Sequence, residues 1–517
     1  MQLALSNWQT KGRSNNRYRL PVVYCLLSIL ILTSCSVSKS SFSPAKKYSP
    51  DQLNKDYSIL RGALEESHPG IYWYTSKDEM NEYFDWGKER IQDSLTEEGF
   101  RKVLSYVVSK INCGHTVTRP SKAFVKYRDT TLSRIFPLSL KIWPGTTNAD
   151  DTATIAANLI RKDSVLTRGV VVKKIDHKPI STILDTLCRY ISSDGYNMTH
   201  KYQTLSNRGG FGAAFTSVFG QKENYYIDYL GNDGVERSSV IPSYNPRADS
   251  ANRIALNRFA RASRNERKKQ IMQATRNLRI DTANKVAFMD LSSFGRGLNL
   301  KSFFINAFKK MKKQGTQHLV IDVRGNGGGT VTNSTFLTKF IADKKFKVAD
   351  TLYTNTRNSR YKKYIDGYFF NRLFMLFVTA KKNDDKYHFG YFERHYFKPK
   401  KKNHYDGNVY ILTGGNSFSA TTLFTQAVKH KENVMVVGEE TGGGAYGNSA
   451  WLIPDLILPE TGIRVRLPLF RLVIDKNIPK DGHGVQPEVI SIPTTDAIRR
   501  GADYKMEKVM ELIRSRQ

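Results

Sequence analysis

The 517-residue sequence has few acidic side chains and few cysteines. It holds 47 Asp and Glu against 80 Lys and Arg, and only 4 Cys. A positive surplus of this size is compatible with a basic solvated surface, an anionic membrane, nucleic acid or an acidic substrate. Because the basic residues are scattered along the chain, we favour the solvated surface. Cys25 and Cys35 lie close to the N-terminus, so only Cys113 and Cys188 remain for the body, which excludes a disulfide scaffold.

Several other signals are missing. No Cys/His spacing typical of zinc sites is present, and no internal repeat of fixed period is visible. The length exceeds what one hydrophobic core usually serves, so we expect two to four domains.

The N-terminal segment has the order of an export signal. Three arginines precede an apolar run over 20–32, which is short for a transmembrane helix, and Leu32-Thr33-Ser34-Cys35 closes the run. This end resembles a bacterial lipobox, although an ordinary signal peptide or a short anchor is an alternative. We predict a lipoprotein signal peptide over 1–34, a lipid on Cys35, and a polar tether over 35–49.

The body changes character along its length. Apolar spacing predicts helices over 50–112 and short strands over 130–245, and a very basic stretch over 247–279 also has a helical pattern. From about 284, strand and helix patterns alternate, which indicates an α/β core. One short segment, 169–180, resembles a strand and turn of a PDZ domain.

An aromatic and basic segment over 356–403 interrupts this core. Such a mixture could contact a membrane interface or nucleic acid. We favour the alternative of an insertion with its own small core that shields one edge of the α/β core.

Two segments in the C-terminal half combine a buried strand pattern, a glycine-rich turn and a helix pattern. The first is 322–329, after Leu319-Val320-Ile321, and the second is 414–421, after 409–412. Two such turns at one edge of a sheet can place backbone N–H groups beside a hydroxyl group, as acyl transfer requires. Ser419 is therefore a candidate nucleophile.

These two turns also have simpler interpretations. Ser417 or Ser419 could merely cap the helix that follows. The glycine-rich turn could bind phosphate, but Thr330-Val331 stand where a P-loop has Lys-Ser/Thr, and the Rossmann spacing does not fit. Since glycine permits close backbone approach, we predict the N–H groups of Ala420 and Gly328 as oxyanion donors.

A nucleophilic serine needs a base. His115, in Cys113-Gly114-His115-Thr116, is the first candidate, although a lone histidine is more often structural or exposed. His483 is the second candidate. Three carboxylates could orient an imidazole: Asp481, Glu439 and Glu440.

Together these motifs resemble the C-terminal-processing, or tail-specific, serine peptidase family, which includes the tricorn protease core. Ile321 to Gly329 is similar to the family's D-L/V-R-x-N-G-G-G signature, and Ser417 to Thr421 to its S-A-S-A-S turn. Val436 to Gly444 is similar to V-V-G-E-x-T-x-G-K, and Gly484 to Glu488 to G-V-x-P-D. The resemblance covers about 285–495.

One departure decides which branch the chain resembles. The tail-specific branch uses a Ser–Lys dyad, and its lysine position is Gly444 here. The tricorn-like branch uses a histidine in a G-H-T-like turn, to which Gly114-His115-Thr116 is similar, although the tricorn core has Ser where this chain has Gly114. The resemblance thus implies Ser419 as nucleophile, His115 as base and Asp481 as the acidic member.

The resemblance also implies an architecture. We expect an α/β (α+β) multidomain protein with a ClpP/crotonase-like peptidase core. The expected parts after the tether are an N-terminal helical domain over 50–125, a PDZ-like β-rich domain over 126–246, a basic helical linker over 247–283, the peptidase core over 284–500 with the insertion 356–403, and a C-terminal helix over 501–517.

The implied function is a serine endopeptidase of the bacterial envelope, lipid-anchored in the periplasm or outer membrane. Its substrate would be a polypeptide, with no metal or organic cofactor and no nucleic acid. An alternative is a catalytically inactive relative that binds peptides or lipids. A basic nucleic-acid binder is a third hypothesis, and the export signal argues against it.

Overall fold

The computed structural model describes residues 42–145, 152–231, 233–249 and 262–516. The predicted signal peptide and Cys35 lie outside the described residues, and so does 250–261 of the basic linker. In the part of the chain that is described, no helix is long and apolar enough to cross a membrane. All elements below belong to one compact unit, Pro44–Gln517.

Capped amphipathic helices form the N-terminal part. Ser49, Ser76 and Thr96 each accept a hydrogen bond from a backbone N–H in the first turn of the helix that follows, which satisfies a donor that the helix cannot use. Leu53 and Leu60 are fully buried on the inner face of the first helix. The elements are α1 Pro50–Ser67, α2 Lys77–Glu89, α3 Glu97–Ser109 and α4 Lys122–Thr131, with β1 Lys47–Tyr48, β2 Leu95–Thr96 and β3 Thr118–Arg119.

An antiparallel sheet and three helices form the middle part. The strand order is β4-β5-β6-β8-β9, with β7 paired to β6, and alternate residues of β8 are buried, as expected for a sheet with one covered face. The elements are β4 Leu138–Trp143, β5 Thr152–Asn158, β6 Val171–Ile175, β7 Lys178–Pro179, α5 Ile180–Cys188, α6 Met198–Ser206, α7 Gly210–Phe219, β8 Asn224–Leu230 and β9 Glu236–Pro242. The PDZ-like character of this part stays a prediction.

A six-stranded sheet organises the C-terminal core, in the order β10-β11-β12-β16-β17-β22. Only the edge pair β10–β11 is antiparallel. The helix predicted to continue to 279 ends at Thr275, because the chain there becomes the edge strand that pairs with β11. The elements are α8 Arg264–Thr275, β10 Arg276–Asp281, β11 Val286–Leu291, α9 Leu300–Lys313, β12 His318–Asp322 and α10 Val331–Ile341.

The insertion and a second sheet follow. That sheet has the order β14-β15-β13-β21-β18, and a smaller one has the order β19-β20-β3. Ile365, Met375 and Phe389 of the insertion are buried in the same hydrophobic cluster as the N-terminal helices, so the described insertion packs on that cluster rather than on a core of its own. The elements are β13 Thr351–Thr354, a 3₁₀ turn Lys362–Tyr364, α11 Tyr368–Val378, β14 Ala380–Lys381, β15 Tyr387–His388 and α12 Gly390–Arg394.

The remaining elements complete the core. Helices α9, α10 and α13 cover one face of the six-stranded sheet, and α15 covers the other. This layering confirms the α/β multidomain fold predicted from the sequence. The elements are β16 Asn408–Thr413, α13 Ala420–Val428, β17 Val434–Gly438, β18 Gly447–Ala450, β19 Asp455–Ile457, β20 Arg464–Arg466, β21 Phe470–Val473, β22 Val489–Ile490, α14 Thr495–Arg500 and α15 Tyr504–Arg514.

Candidate active site

Parallel pairing of β12 with β16 brings the two predicted turns together. Asp322 lies opposite Leu412, so both strands end at the same edge of the sheet. The carbonyl oxygen of Asn326 accepts the Phe418 N–H at 3.1 Å and the Thr421 hydroxyl at 2.9 Å. The two turns are therefore held against each other by direct hydrogen bonds.

Ser419 lies on a strained bend between β16 and α13. Its φ is 59° and its ψ is −119°, a region that costs a non-glycine residue on the order of 1–3 kcal/mol. Its side chain makes no cap hydrogen bond, and the Ser417 hydroxyl instead donates to the Val323 carbonyl. Neither serine caps the helix in this structure, and the bend resembles the strand-to-helix turns that expose a nucleophile.

The predicted oxyanion donors differ in their geometry. Ala420 is the first residue of α13, so its N–H has no acceptor within the helix. Gly328 has a φ of 96°, and a Cβ there would lie 2.8 Å from Ser419 Cβ, so only glycine permits this approach. The Gly328 N–H itself donates to Asn326 Oδ1 at 3.0 Å. Of the two predicted oxyanion donors, the Gly328 N–H is therefore engaged within its own turn in this conformation, and the Ala420 N–H is the better candidate.

His115 lies beside the nucleophile turn. It follows α3, is 6% exposed, and packs its ring against Phe418, with ring centroids 4.6 Å apart. Burial lowers the pKa of His115 to about 3, and the positive charge of Arg466 acts in the same direction. The imidazole is thus neutral at ordinary pH, the state that a general base needs.

Asp194 is the carboxylate next to His115. Its oxygens accept the Gly114 N–H at 2.8 Å and the Gly444 N–H at 3.2 Å. One of its oxygens, a ring nitrogen of His115 and the sulfur of Cys113 all lie within 4.8 Å of one another. Burial raises the pKa of Asp194 to about 6. These three buried groups could also hold a metal ion, a combination that the sequence spacing did not suggest.

Sequence reasoning missed Asp194. It stands in Ser192-Ser193-Asp194-Gly195, which belongs to no motif considered. Its proximity to His115 depends on a contact between the middle part and the N-terminal part, and no local pattern reports such a contact.

The carboxylates named from the sequence lie in other contacts. Asp481 is exposed and accepts the His483 N–H at 2.9 Å, and within the described residues no hydrogen bond or ion pair joins it to His115. The His483 ring lies 3.2 Å from Glu440. Glu439 pairs with buried Lys505 at 2.5 Å.

Two glycines explain how this site departs from the resembled motifs. A Cβ on Gly114 would lie 2.6 Å from Phe418 Cζ, so the phenyl ring fills the space that a serine would need. A Cβ on Gly444 would lie 2.7 Å from the Gly447 carbonyl oxygen. A lysine at 444 therefore cannot enter without a shift of the backbone, and the base must come from elsewhere.

Comparison with known proteins agrees with this geometry. Residues 285–491 match the model of peptidase family S41, and no curated protein sequence matches the chain. The crystal structure of mature CPAF has a TM-score of 0.60 at 13% identity, over 90% of this chain and 98% of that chain.

Two further CPAF structures have the same coverage, 90% of this chain and 98% of that chain. A Ser-to-Ala mutant has a TM-score of 0.62 at 13% identity, and the complex with lactacystin has one of 0.58 at 14% identity. At such identities the likeness shows a shared fold. The family match runs from the start of β11 to the end of β22, and so includes every strand of the core sheet except the edge strand β10. This part of the chain is therefore a peptidase family S41 domain, which supports a serine-type peptidase.

Proposed function

We propose that the protein is an endopeptidase that hydrolyses polypeptides through an acyl-enzyme on Ser419, with His115 as the base. The observation that carries the proposal is the strained Ser419 bend next to Phe418, whose ring contacts a buried, neutral imidazole. This ring contact brings the candidate base next to the turn that carries the candidate nucleophile, and a serine with a base beside it is the minimal unit of acyl transfer.

The proposed reaction has two halves. His115 accepts the hydroxyl proton of Ser419 as the oxygen attacks the peptide carbonyl carbon, and the Ala420 N–H stabilises the oxyanion. The intermediate collapses, the C–N bond breaks, and His115 returns the proton to the leaving amine. Water then hydrolyses the ester with His115 again as base. One oxyanion donor typically contributes about 3 kcal/mol to transition-state stabilisation.

Asp194 is proposed as a positioning residue. Its carboxylate lies close enough to His115 to stabilise the imidazolium that forms during attack. Two backbone N–H groups hold it in place, and these belong to Gly114, beside His115, and to Gly444, where the tail-specific branch has its lysine. Asp481 is the competing choice from the sequence.

Covalent labelling tests the catalytic pair. A fluorophosphonate probe is expected to label the full-length protein on Ser419, and Ser419→Ala is expected to abolish the adduct. His115→Ala should lower the labelling rate at least about 100-fold, as expected for loss of a general base. Mass spectrometry of the labelled peptide gives the site.

Two outcomes would contradict the proposal. An unlabelled wild-type protein that is folded by circular dichroism would favour the inactive peptide- or lipid-binding relative. Labelling on another serine would assign the nucleophile elsewhere.

The pH profile tests Asp194. Its pKa is raised to about 6, so the group is charged above that pH and neutral below it. Labelling of the wild type should therefore fall as the pH decreases through about 6, whereas the lowered pKa of His115 keeps the base neutral throughout. Asp194→Asn should give a low rate that is flat between about pH 5 and 8. Asp481→Asn is the matched control, and its labelling rate should still fall as the pH decreases through about 6. If the labelling rate of Asp481→Asn did not depend on pH, the positioning role would belong to Asp481.

Packing of Phe418 against Gly114 predicts a coupling between the two. Gly114→Ser places an atom 2.6 Å from the Phe418 ring, and overpacking of this kind costs about 1–3 kcal/mol of unfolding free energy. In a Phe418→Ala background the same change should cost close to nothing. Urea unfolding measures the cost of Gly114→Ser in both backgrounds. Gly99→Ser is the control, since its Cβ meets no atom closer than 3.5 Å, and equal costs of Gly114→Ser in both backgrounds would refute the coupling.

The envelope location is part of the same proposal and depends on the predicted lipobox. Cells grown with radiolabelled palmitate should yield labelled wild-type protein, and Cys35→Ser should lose the label, because the thiol is the predicted attachment point. An unlabelled wild type, or a label that persists in Cys35→Ser, would contradict lipidation at Cys35. The label is the appropriate readout, since membrane association alone can have other causes.

A further inference from the structure

Helix α11 presents large apolar side chains to solvent. Phe369 is 68% exposed, Phe370 73% and Phe377 81%. Leu373, Phe374 and Leu376 are also exposed, and their spacing along the helix places all six on its outward side. We call these six residues the α11 outer face.

Helix α11 has few polar residues that could face water. Asn371 and Arg372 are half-buried and form hydrogen bonds at the surface, Asn371 to the Asp366 carbonyl and Arg372 to Asn358 Oδ1 at 2.6 Å. Met375 is buried against the body. A helix on a soluble surface normally points its charged side to water and its apolar stripe to the core. Six large apolar residues in one outward patch instead indicate an interaction surface.

Lysines flank the α11 outer face at both ends of the helix. Thirteen Lys and Arg and four Asp and Glu lie within 356–403. Lys362 and Lys363 are exposed just before the helix, and Lys381 and Lys382 are exposed just after it. Lys381 and Lys382 also pair with Asp385 and Glu393, so the surplus comes from the segment as a whole.

We propose that the α11 outer face docks on an anionic lipid bilayer, with its phenyl and leucyl side chains inserted at the boundary between headgroups and acyl chains. Interfacial helices combine Phe and Leu on the inserted side with Lys and Arg that meet lipid phosphates. Helix α11 has 11 residues, fewer than a bilayer-spanning helix needs, so the proposal places it in the interface. The proposal does not depend on catalysis by Ser419.

Charge complementarity favours a bilayer over other partners. A second copy of the chain would bring an equally positive segment against the first, and the two would repel. Nucleic acid would meet phenyl rings before it met the cations at the two ends of the helix. An anionic bilayer satisfies both features at once, and the lipid predicted on Cys35 would place such a surface within reach.

Site-specific photocrosslinking tests this proposal on the full chain. Phe377→p-benzoylphenylalanine places a photoreactive group on the α11 outer face with little change in shape. In vesicles of phosphatidylglycerol and phosphatidylcholine, irradiation should give lipid adducts, detected by mass spectrometry. Tyr226→p-benzoylphenylalanine is the matched control, because Tyr226 is 53% exposed on β8. The adduct yield at 377 should exceed that at 226 at least about fivefold, and it should fall when phosphatidylglycerol is omitted.

Three results would overturn the proposal: equal yields at 377 and 226, no lipid adduct at 377, or crosslinks at 377 to a second copy of the chain. A second variant guards against effects of the photoreactive group. The triple change Phe369→Ser, Phe370→Ser and Phe377→Ser should abolish phosphatidylglycerol-dependent quenching of the protein's tryptophan fluorescence by brominated lipid. Labelling of Ser419 by the fluorophosphonate should stay at the wild-type level, which separates failure of docking from failure of the proposed catalysis.

Discussion

The constraint on which the site depends is the parallel pairing of β12 with β16. Parallel strands end at one edge, so the glycine-rich turn and the serine turn meet there. The Asn326 carbonyl oxygen then accepts hydrogen bonds from both the backbone and a side chain of the serine turn. Because Gly328 has no Cβ, its backbone can approach Ser419 to van der Waals distance. Strain at Ser419 persists because both turns hold it in place.

Burial gives the second half of the site its chemistry. His115 loses its charged state because Phe418 and the surrounding protein exclude water from the ring. The same burial favours the protonated form of Asp194, and two backbone N–H groups act against it by stabilising the carboxylate. Gly114 and Gly444 donate those bonds, and neither position has room for a side chain. A site that uses these two amides in this way has no place for the lysine of the tail-specific branch.

The features that could be predicted from the sequence are those that a local pattern of residues encodes. Strand patterns followed by glycine and helix patterns located both turns, and the order of the motifs indicated the family that the comparison with S41 confirms. Sequence reasoning missed Asp194, since that carboxylate reaches His115 only through the packing of separate parts of the chain. It also extended a helix through 276–279, where pairing with β11 overrides a basic and otherwise helical composition. The insertion was expected to build its own core, yet Met375 and Phe389 join the N-terminal cluster.

The positive surplus of the chain has more than one structural role. Lys505 is buried with Glu439 beneath the serine turn, where the pair serves the fold. Among the described residues the lysines and arginines other than Lys505 and Arg471 are exposed or half-buried, and scattered charge of that kind selects no partner by itself. The segment around α11 differs because cations there accompany an exposed apolar face. Positive charge attracts a protein to an anionic bilayer but does not insert it, and apolar side chains insert but exert no long-range attraction. Only where both occupy one surface does the chemistry specify a bilayer.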